Sequence, residues 1–444
     1  MKLTVSEIAG YTNGKIVGNT QNTITKVITD SRKIEPGSLF VAIKGERFDG
    51  HDFIKEAYKS GAAAALSQVY IDVPEGKTLI LVDDTKGALV DLAKGYRGRF
   101  NIPFIAVTGS VGKTTTKEMI HSALSVKYKT HKTSGNFNNE IGLPLTMMEL
   151  SGEHECAVFE MGMSGFGEIA LLSSIVMPDI AVITNIGVSH IEKLGSKENI
   201  LKAKLEVCEN LNKDGYLILN GDDKLLWGLK GKLPFKTIYY GIENKECDYV
   251  ADKPSNDSFI LGTKNIILPV LGRHNIYNAL CAIAVANLLD ISTDEAVRGL
   301  MSFETDGIRQ SIIKFGNITF MNDYYNASPP SMEAALDVLG EQTEHRRIAV
   351  LGGMLELGEY SKEAHLGVGK YASGDKCDIL ITVGGDSEYI KEGFIQGGGR
   401  EAYSFSDNKS AAAFLKSLLK DGDFVLIKGS RGIKMEEIYK SVTE

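Results

Sequence analysis

The sequence predicts an α/β protein of three domains, each a sheet with helices packed on it. Three observations lead there. A chain of 444 residues exceeds what one hydrophobic core organises, and length alone suggests two to four domains. Past Arg97-Gly98-Arg99, short apolar runs alternate with helical stretches, the pattern of a parallel sheet covered by helices. A second alternating series begins past residue 305. Boundaries near 99 and 306 follow, giving units 1–98, 99–305 and 306–444.

In the first unit, strands are predicted over 27–29 and 39–43, separated by the turn residues Pro36-Gly37. A helix over 51–66 and a strand over 78–82 complete it. In the second unit the apolar runs 104–107, 157–159, 180–183 and 216–219 read as strands. Each ends in small or polar residues, where open α/β sheets carry their ligand sites. A helix over 116–126 follows the first run, a weaker β-rich stretch spans 237–270, and an apolar helix covers 276–289. The third unit has strands over 318–321, 347–351, 379–383 and 424–427, then a helix carrying Met435, Ile438 and Tyr439.

Composition excludes several classes. A formal net charge of -8 argues against a nucleic-acid or anionic-membrane partner. The five cysteines, Cys156, Cys208, Cys247, Cys281 and Cys377, form no CxxC pair and no metal-ligand spacing, and read as core residues in a reducing compartment. The N-terminus lacks the basic start and apolar run of a signal peptide, and no apolar stretch reaches membrane-span length. A cytoplasmic protein without stable membrane association, acting as a monomer, is expected.

The segment Thr108-Gly109-Ser110-Val111-Gly112-Lys113-Thr114-Thr115 lies between a strand and a helix. Glycines there permit tight turns, and successive N–H groups face an anion at the helix N-terminus. Lys113 would reach the β- and γ-phosphates and Thr114 would coordinate Mg²⁺. Val107 stands where the full phosphate-loop pattern has its first glycine, so the loop is a shortened form. Glu160 closes the run 157–159, which puts its carboxylate at the same sheet edge, where Mg²⁺ needs an oxygen ligand. His190, in the stretch after the strand 180–183, is either structural or a further ligand beside Glu160. Leu201-Lys202-Ala203-Lys204-Leu205-Glu206 reads as a helical face with Lys202 and Glu206 paired at i,i+4. Asn275, in Gly272-Arg273-His274-Asn275-Ile276-Tyr277-Asn278, could cap the next helix. Asp323-Tyr324-Tyr325-Asn326-Ala327-Ser328-Pro329-Pro330 reads as a strand end breaking into a proline turn, with Asp323 and Asn326 at a cleft.

The shortened loop Thr-Gly-x-x-Gly-Lys-Thr resembles that of the Mur ligases and the related folylpolyglutamate synthetases, and the resemblance extends over almost the whole chain. The segment 323–332 resembles the branch that adds D-Ala-D-Ala. The Asp-Asn-Pro-Arg of the diamino-acid-adding branch is absent. The resemblance implies a UDP-sugar-binding N-terminal domain, a central ATP-binding phosphate-loop domain and a Rossmann-like C-terminal domain. It further implies ATP and Mg²⁺, with UDP-MurNAc-tripeptide and D-Ala-D-Ala joined through an acyl phosphate. Lys113, Glu160, His190 and Lys204 become the catalytic set. Metal ligation falls to Thr114, Glu160, His190 and Lys204, the last as a carbamate, with Lys202 the alternative bearer of that group. ATP contacts fall to residues 109 to 115, His274, Asn275, Asn278, Arg309, Asp323 and Asn326. The sugar nucleotide falls to Ser31, Arg32, Lys44, Gly45 and Asp49. Asn138 and Asn139 would face the muramoyl-peptide or bond the backbone. Gly353 stands where the branch usually has aspartate, and Lys428-Gly429-Ser430-Arg431 either belongs to the branch pattern or is a plain glycine loop.

Overall fold

The computed structural model describes residues 1–304 and 307–444. The boundary expected at 305/306 falls on the two residues outside that description. The described chain forms three α/β domains on three main sheets.

The N-terminal sheet runs in the order Lys15–Gly18, Thr78–Leu81, Ala64–Ser67, Ser38–Val41, Lys26–Ile28, with only the first strand antiparallel. Both faces are buried, because side chains alternate: Phe40 and Ala65 pack on one side, Leu39, Val41, Ala64 and Leu66 on the other. The helix expected over 51–66 is corrected. A short turn, Gly50–Phe53, leads into a helix Ile54–Lys59, and Ala64–Ser67 is a strand. Gly61 at φ +113 breaks the run. The alanines then pair between Ser38–Val41 and Thr78–Leu81, so sheet burial overrides their helix propensity.

The central sheet has nine strands, seven of them parallel, ending in an antiparallel pair Ser258–Leu261 and Lys264–Ile267. Phe104–Thr108 lies inside it, flanked by Cys156–Glu160 and Ile180–Ile183. Chain connections leave this strand in opposite directions, so its carboxyl end is the switch point where open α/β sheets bind ligands. Phe104, Ala106, Phe159 and Ile183 face a core shared with Thr85–Arg97 of the N-terminal unit. Ile105, Val107, Val158 and Val182 face the helices Lys113–Leu124 and Arg273–Leu288.

The C-terminal sheet has six strands in the order Ser311–Phe315, Ile318–Asp323, Phe424–Lys428, Arg347–Gly352, Ile379–Val383, Glu401–Phe405, the first antiparallel. Helices cover both faces. Pro329 and Pro330 do not make a turn; they open the helix Pro329–Gly340, where a missing N–H costs nothing. Among the described residues no helix is long and apolar enough to cross a membrane.

Candidate active site

A cavity of about 1010 Å³ opens at the carboxyl edge of the central sheet, walled on its far side by the C-terminal domain. Its floor is the phosphate loop. Gly109 has φ +147, and a Cβ there would meet Thr184 Oγ1 at 1.9 Å, so only glycine fits. The neighbouring strand end fixes the loop's shape. Ser110 N–H donates to Asn185 O (3.1 Å), Val111 N–H to Asn185 Oδ1 (3.0 Å), and Thr184 Oγ1–H to Val111 O (2.6 Å). Gly187 N–H donates to Ser110 Oγ at 2.8 Å. Gly112 begins the helix Lys113–Leu124 with no side-chain cap, so the first N–H groups of that helix meet the cavity unpaired by any cap. Lys113 Nζ donates to Gly109 O at 2.9 Å, and Thr114 lines the same wall. Burial pushes the Lys113 ammonium below the ordinary lysine range, with Glu160's charge opposing.

Glu160 ends its strand 2% exposed. Asn138 Nδ2–H donates to its Oε1 at 2.8 Å, while its buried Oε2 has no hydrogen-bond partner. The Lys117 ammonium lies 3.8 Å from that oxygen, already donating to Thr133 O at 2.7 Å. An orphaned buried carboxylate oxygen is costly unless something charged arrives. The site therefore fits a hard divalent cation. Among the described residues no three His, Cys, Asp or Glu converge as a metal cage. A sparse set of this kind suits Mg²⁺, which keeps waters and takes phosphate oxygens beside one or two carboxylates.

His190 lines the cavity in left-handed backbone (φ 63), its Nδ1 2.8 Å from Glu356 Oε2 of the C-terminal domain. Lys204 is not among the residues that line the cavity. It is 2% exposed, has no hydrogen-bond acceptor among the described residues, and is driven well below the ordinary lysine range by burial and then by Lys113. The expected Lys202–Glu206 pair is corrected. Glu206 instead accepts N–H bonds from Gly167 (2.8 Å) and Ala170 (3.2 Å), capping the helix Glu168–Val176. That use joins residues 36 or more apart in sequence, which helix spacing does not reveal.

The cavity is also lined by His274, Asn275 and Asn278 of the central domain and by Arg309, Asp323 and Asn326 of the C-terminal domain. Asn275 is not the helix cap; Gly272 is, and Asn275 Nδ2 donates to Leu271 O at 2.7 Å and to Gln310 Oε1 at 2.9 Å. The Arg309 guanidinium lies 3.6 Å above the Tyr325 ring. Asp323 is held by the buried Lys428 at 2.5 Å, and Lys428 also donates to Asn326 O. Ser430 Oγ accepts Leu355 N–H at 3.0 Å, so the segment 428–431 also braces the neighbouring loop. A Cβ at Gly353 would find only ordinary contacts, the nearest His365 Nε2 at 3.8 Å. Asn139 bonds backbone: its Oδ1 accepts Gly142 N–H at 2.9 Å while the residue still lines the cavity with Asn138. Sequence reasoning missed Asn185 and Gln310 as site residues. Asn185 opens the stretch that carries His190 without itself suggesting a role, Gln310 sits in no motif, and only the fold brings them to the loop and to His274.

Ser31, Arg32, Lys44, Gly45 and Asp49 are outside this cavity. They follow Lys26–Ile28 and Ser38–Val41, adjacent parallel strands, and so share the carboxyl edge of the N-terminal sheet. Arg32 grips Asp30 through Nε and Nη2 at 2.8 and 2.9 Å, holding that carboxyl down at about 2. Lys44 and Asp49 pair as an isolated β-bridge below a loop tip where Phe48 is 73% exposed.

Three family models match successive stretches: "Mur ligase family, catalytic domain" over 23–97, "Mur ligase middle domain" over 107–286, and "Mur ligase, glutamate ligase domain" over 309–431. The chain is 42% identical over 454 residues to UDP-N-acetylmuramoyl-tripeptide--D-alanyl-D-alanine ligase of Bacillus subtilis (strain 168), covering 100% of this chain and 99% of that one. Its fold is similar to MurF from Acinetobacter baumannii, with TM-score 0.93, 31% identity and coverage of 100% and 99%. It is also similar to MurF ligase from Thermotoga maritima in complex with ADP, with TM-score 0.84, 30% identity and coverage of 94% and 97%.

Proposed function

Because the chain belongs to the Mur ligase family, we propose that it joins D-Ala-D-Ala to UDP-MurNAc-tripeptide, converting ATP to ADP and phosphate. The observation that carries this reading is one cavity combining an uncapped helix N-terminus, Lys113 and a buried Glu160 whose Oε2 accepts no hydrogen bond. The end-to-end similarity to UDP-N-acetylmuramoyl-tripeptide--D-alanyl-D-alanine ligases supports the choice of amine.

The chemistry follows from charge. The N–H groups at residues 112 to 115 cradle the ATP phosphates, and Lys113 turns from Gly109 O to the β- and γ-oxygens. The tripeptide's terminal carboxylate attacks the γ-phosphorus, the bond to the β-phosphate oxygen breaks, and an acyl phosphate forms. The amine of D-Ala-D-Ala then attacks the acyl carbon, the C–O bond to phosphate breaks, and the amine proton leaves with the phosphate. Charge develops on phosphoryl and carbonyl oxygens throughout, so preorganised cations and N–H donors lower both barriers. Glu160 and Thr114 would hold Mg²⁺ at the phosphates, with His190 and a carbamoylated Lys204 at a second position, and the metal would neutralise phosphoryl charge. Burial lowers the Lys204 pKa well below the ordinary lysine range, which favours the neutral amine, the form that adds to CO₂.

Units 1–98, 99–305 and 306–444 divide the work: the first holds the UDP-sugar through Ser31, Arg32, Lys44, Gly45 and Asp49, the second ATP and the tripeptide carboxyl, the third closes over the nucleotide. His274, Asn275, Asn278, Arg309, Asp323 and Asn326 contact ATP around the phosphate loop and from the C-terminal domain, and Asn138 and Asn139 contact the peptide. The reaction is cytoplasmic, where ATP and nucleotide sugars are available, and one chain carries the whole site, so a monomer suffices. Phosphate release from ATP tests this. It should require UDP-MurNAc-tripeptide and D-Ala-D-Ala together. Release with a dipeptide precursor and a diamino acid, and none with D-Ala-D-Ala, would overturn it.

A further inference from the structure

Behind the phosphate loop, four side chains form a hydrogen-bond chain with a single direction. Thr116 Oγ1–H donates to Asn278 Oδ1 (2.9 Å), Asn278 Nδ2–H to Asn275 Oδ1 (3.1 Å), and Asn275 Nδ2–H to Gln310 Oε1 (2.9 Å). His274 Nε2 meets the same Gln310 oxygen at 2.9 Å. The second Asn275 N–H is already committed to Leu271 O at 2.7 Å. Every donor therefore points toward Gln310, and the chain needs an acceptor with two lone pairs at its end. The Gln310 carbonyl supplies both. His274 is kept uncharged by burial, which suits an Nε2–H donor facing a neutral amide oxygen.

The two ends of this chain lie in different domains. Thr116 is in the first turn of the phosphate-loop helix, and Asn278 Oδ1 stands 3.1 Å from where a Cβ on Gly112 would be, so the amide abuts the loop itself. Gln310 immediately precedes Ser311–Phe315, the first strand of the C-terminal sheet, and sits in left-handed backbone at φ 47. For a residue with a Cβ that conformation is uncommon and persists where surrounding contacts hold it.

We infer that Gln310 is a positioning residue through which the C-terminal domain sets the order of the nucleotide loop. When the domain is seated, the Gln310 carbonyl terminates the chain, fixes both asparagine amides, and holds Gly112 and Thr116 where the phosphates bind. When the domain swings away, two donors lose their acceptor and the loop loosens. Nucleotide affinity and domain position are thus two readings of one equilibrium, and each biases the other. A direct contact with ATP is not required of Gln310. The inference rests on the nucleotide site assigned above.

The test uses the full chain and three variants. Gln310→Met keeps length and flexibility but removes both lone pairs, Gln310→Glu keeps an oxygen acceptor, and Asn278→Ala cuts the chain midway. ADP affinity is measured by titration, and the ATP KM is separated from kcat by steady-state kinetics, with thermal melting as the fold control. Gln310→Met should weaken ADP binding and raise the ATP KM by about tenfold, the loss expected when hydrogen-bond donors are orphaned. Gln310→Glu should stay within about threefold of the unaltered chain. Asn278→Ala combined with Gln310→Met should lose little beyond the worse single variant, since both cut the same chain. Normal ADP affinity in Gln310→Met, equal losses in Met and Glu, or additive losses in the double variant would each overturn the inference. If the unaltered chain bound no ADP, the nucleotide site itself would fail instead. Should Gln310→Met not fold, the Glu variant and the Asn278→Ala, Gln310→Glu pair carry the same comparison.

Discussion

The central and N-terminal sheets both present loops at the carboxyl ends of parallel strands, yet they hold them in opposite ways. The loop at 109 to 115 is pinned by five bonds to residues 184 to 187, and the backbone N–H groups left free from Gly112 onward do the recognising. The loop at 44 to 49 is anchored only at its foot. There Asp49 meets His51 Nδ1 at 2.5 Å, and His51 Nε2 accepts Gln68 N–H at 3.1 Å. Its tip carries Gly45 N–H to Phe48 O at 2.9 Å and little else. Phosphate recognition by backbone demands geometry fixed before the ligand arrives. Recognition by exposed side chains can order itself on binding, at a cost in entropy. Substitutions should therefore act steeply at the first loop and gently at the second.

The steepest case is Gly109→Ala. A Cβ 1.9 Å from Thr184 Oγ1 must break the Thr184–Val111 bond or move the strand end. A stability loss of about 2–4 kcal/mol in a denaturant titration is expected, together with loss of ADP binding. A Gly109→Ala chain that is stable and binds ADP normally would remove the claim that the loop is preformed. Lys113→Met separates chemistry from architecture at the same place. Removing a cation aimed at the transferring phosphoryl group should lower kcat by about 10²–10³. Burial already penalises that ammonium, so the melting temperature should hold or rise. A drop in stability as large as that of Gly109→Ala would make Lys113 structural.

Lys204 comes next. Lys204→Ala should lower kcat by about 10–100-fold, the usual scale for a residue supporting a metal site, and a short carboxylate added to the buffer should restore part of it. In the unaltered chain, bicarbonate should raise activity at neutral pH. That gain should fade as pH falls through the lowered Lys204 pKa, because the protonated amine cannot take up CO₂. Mass spectrometry of the native protein checks for the carbamate. Bicarbonate-independent activity with Lys204→Ala unaffected would leave Lys204 as a core residue.

These residues also differ in how far sequence alone reaches them. The phosphate loop and Glu160 are legible because their signals are local: a glycine pattern between strand and helix, and a carboxylate ending an apolar run. The parallel strands are legible for the same reason, since burial on both faces makes them continuous apolar runs. Lys204 is not, because Leu201 to Glu206 looks like any solvated helix, and only the fold shows it buried along with Ile200 and Ala203. Glu206 and Gln310 are invisible for a second reason. Their partners lie 35 or more residues away, and no periodicity encodes such a distance. The misread helix at 51–66 marks a third limit: four consecutive alanines favour helix locally, and only the neighbouring strands decide otherwise.

The gentlest prediction falls on the second loop. Phe48 is 73% exposed at its tip, and an aromatic ring offered to solvent beside Lys44 and Asp49 can stack on a nucleobase. Base–aromatic stacking is worth about 1 kcal/mol at its weak end, so Phe48→Ala should raise the KM for UDP-MurNAc-tripeptide by roughly fivefold. The KM for ATP and the melting temperature should not move, since no packed neighbour loses a contact and exposed substitutions stay within about 0.5 kcal/mol. A Phe48→Ala chain with unchanged sugar-nucleotide KM would shift uracil recognition toward Ser31 and Arg32. A large loss of stability would mean that this loop, too, is built before its ligand comes, and the contrast between the two sheet edges would vanish.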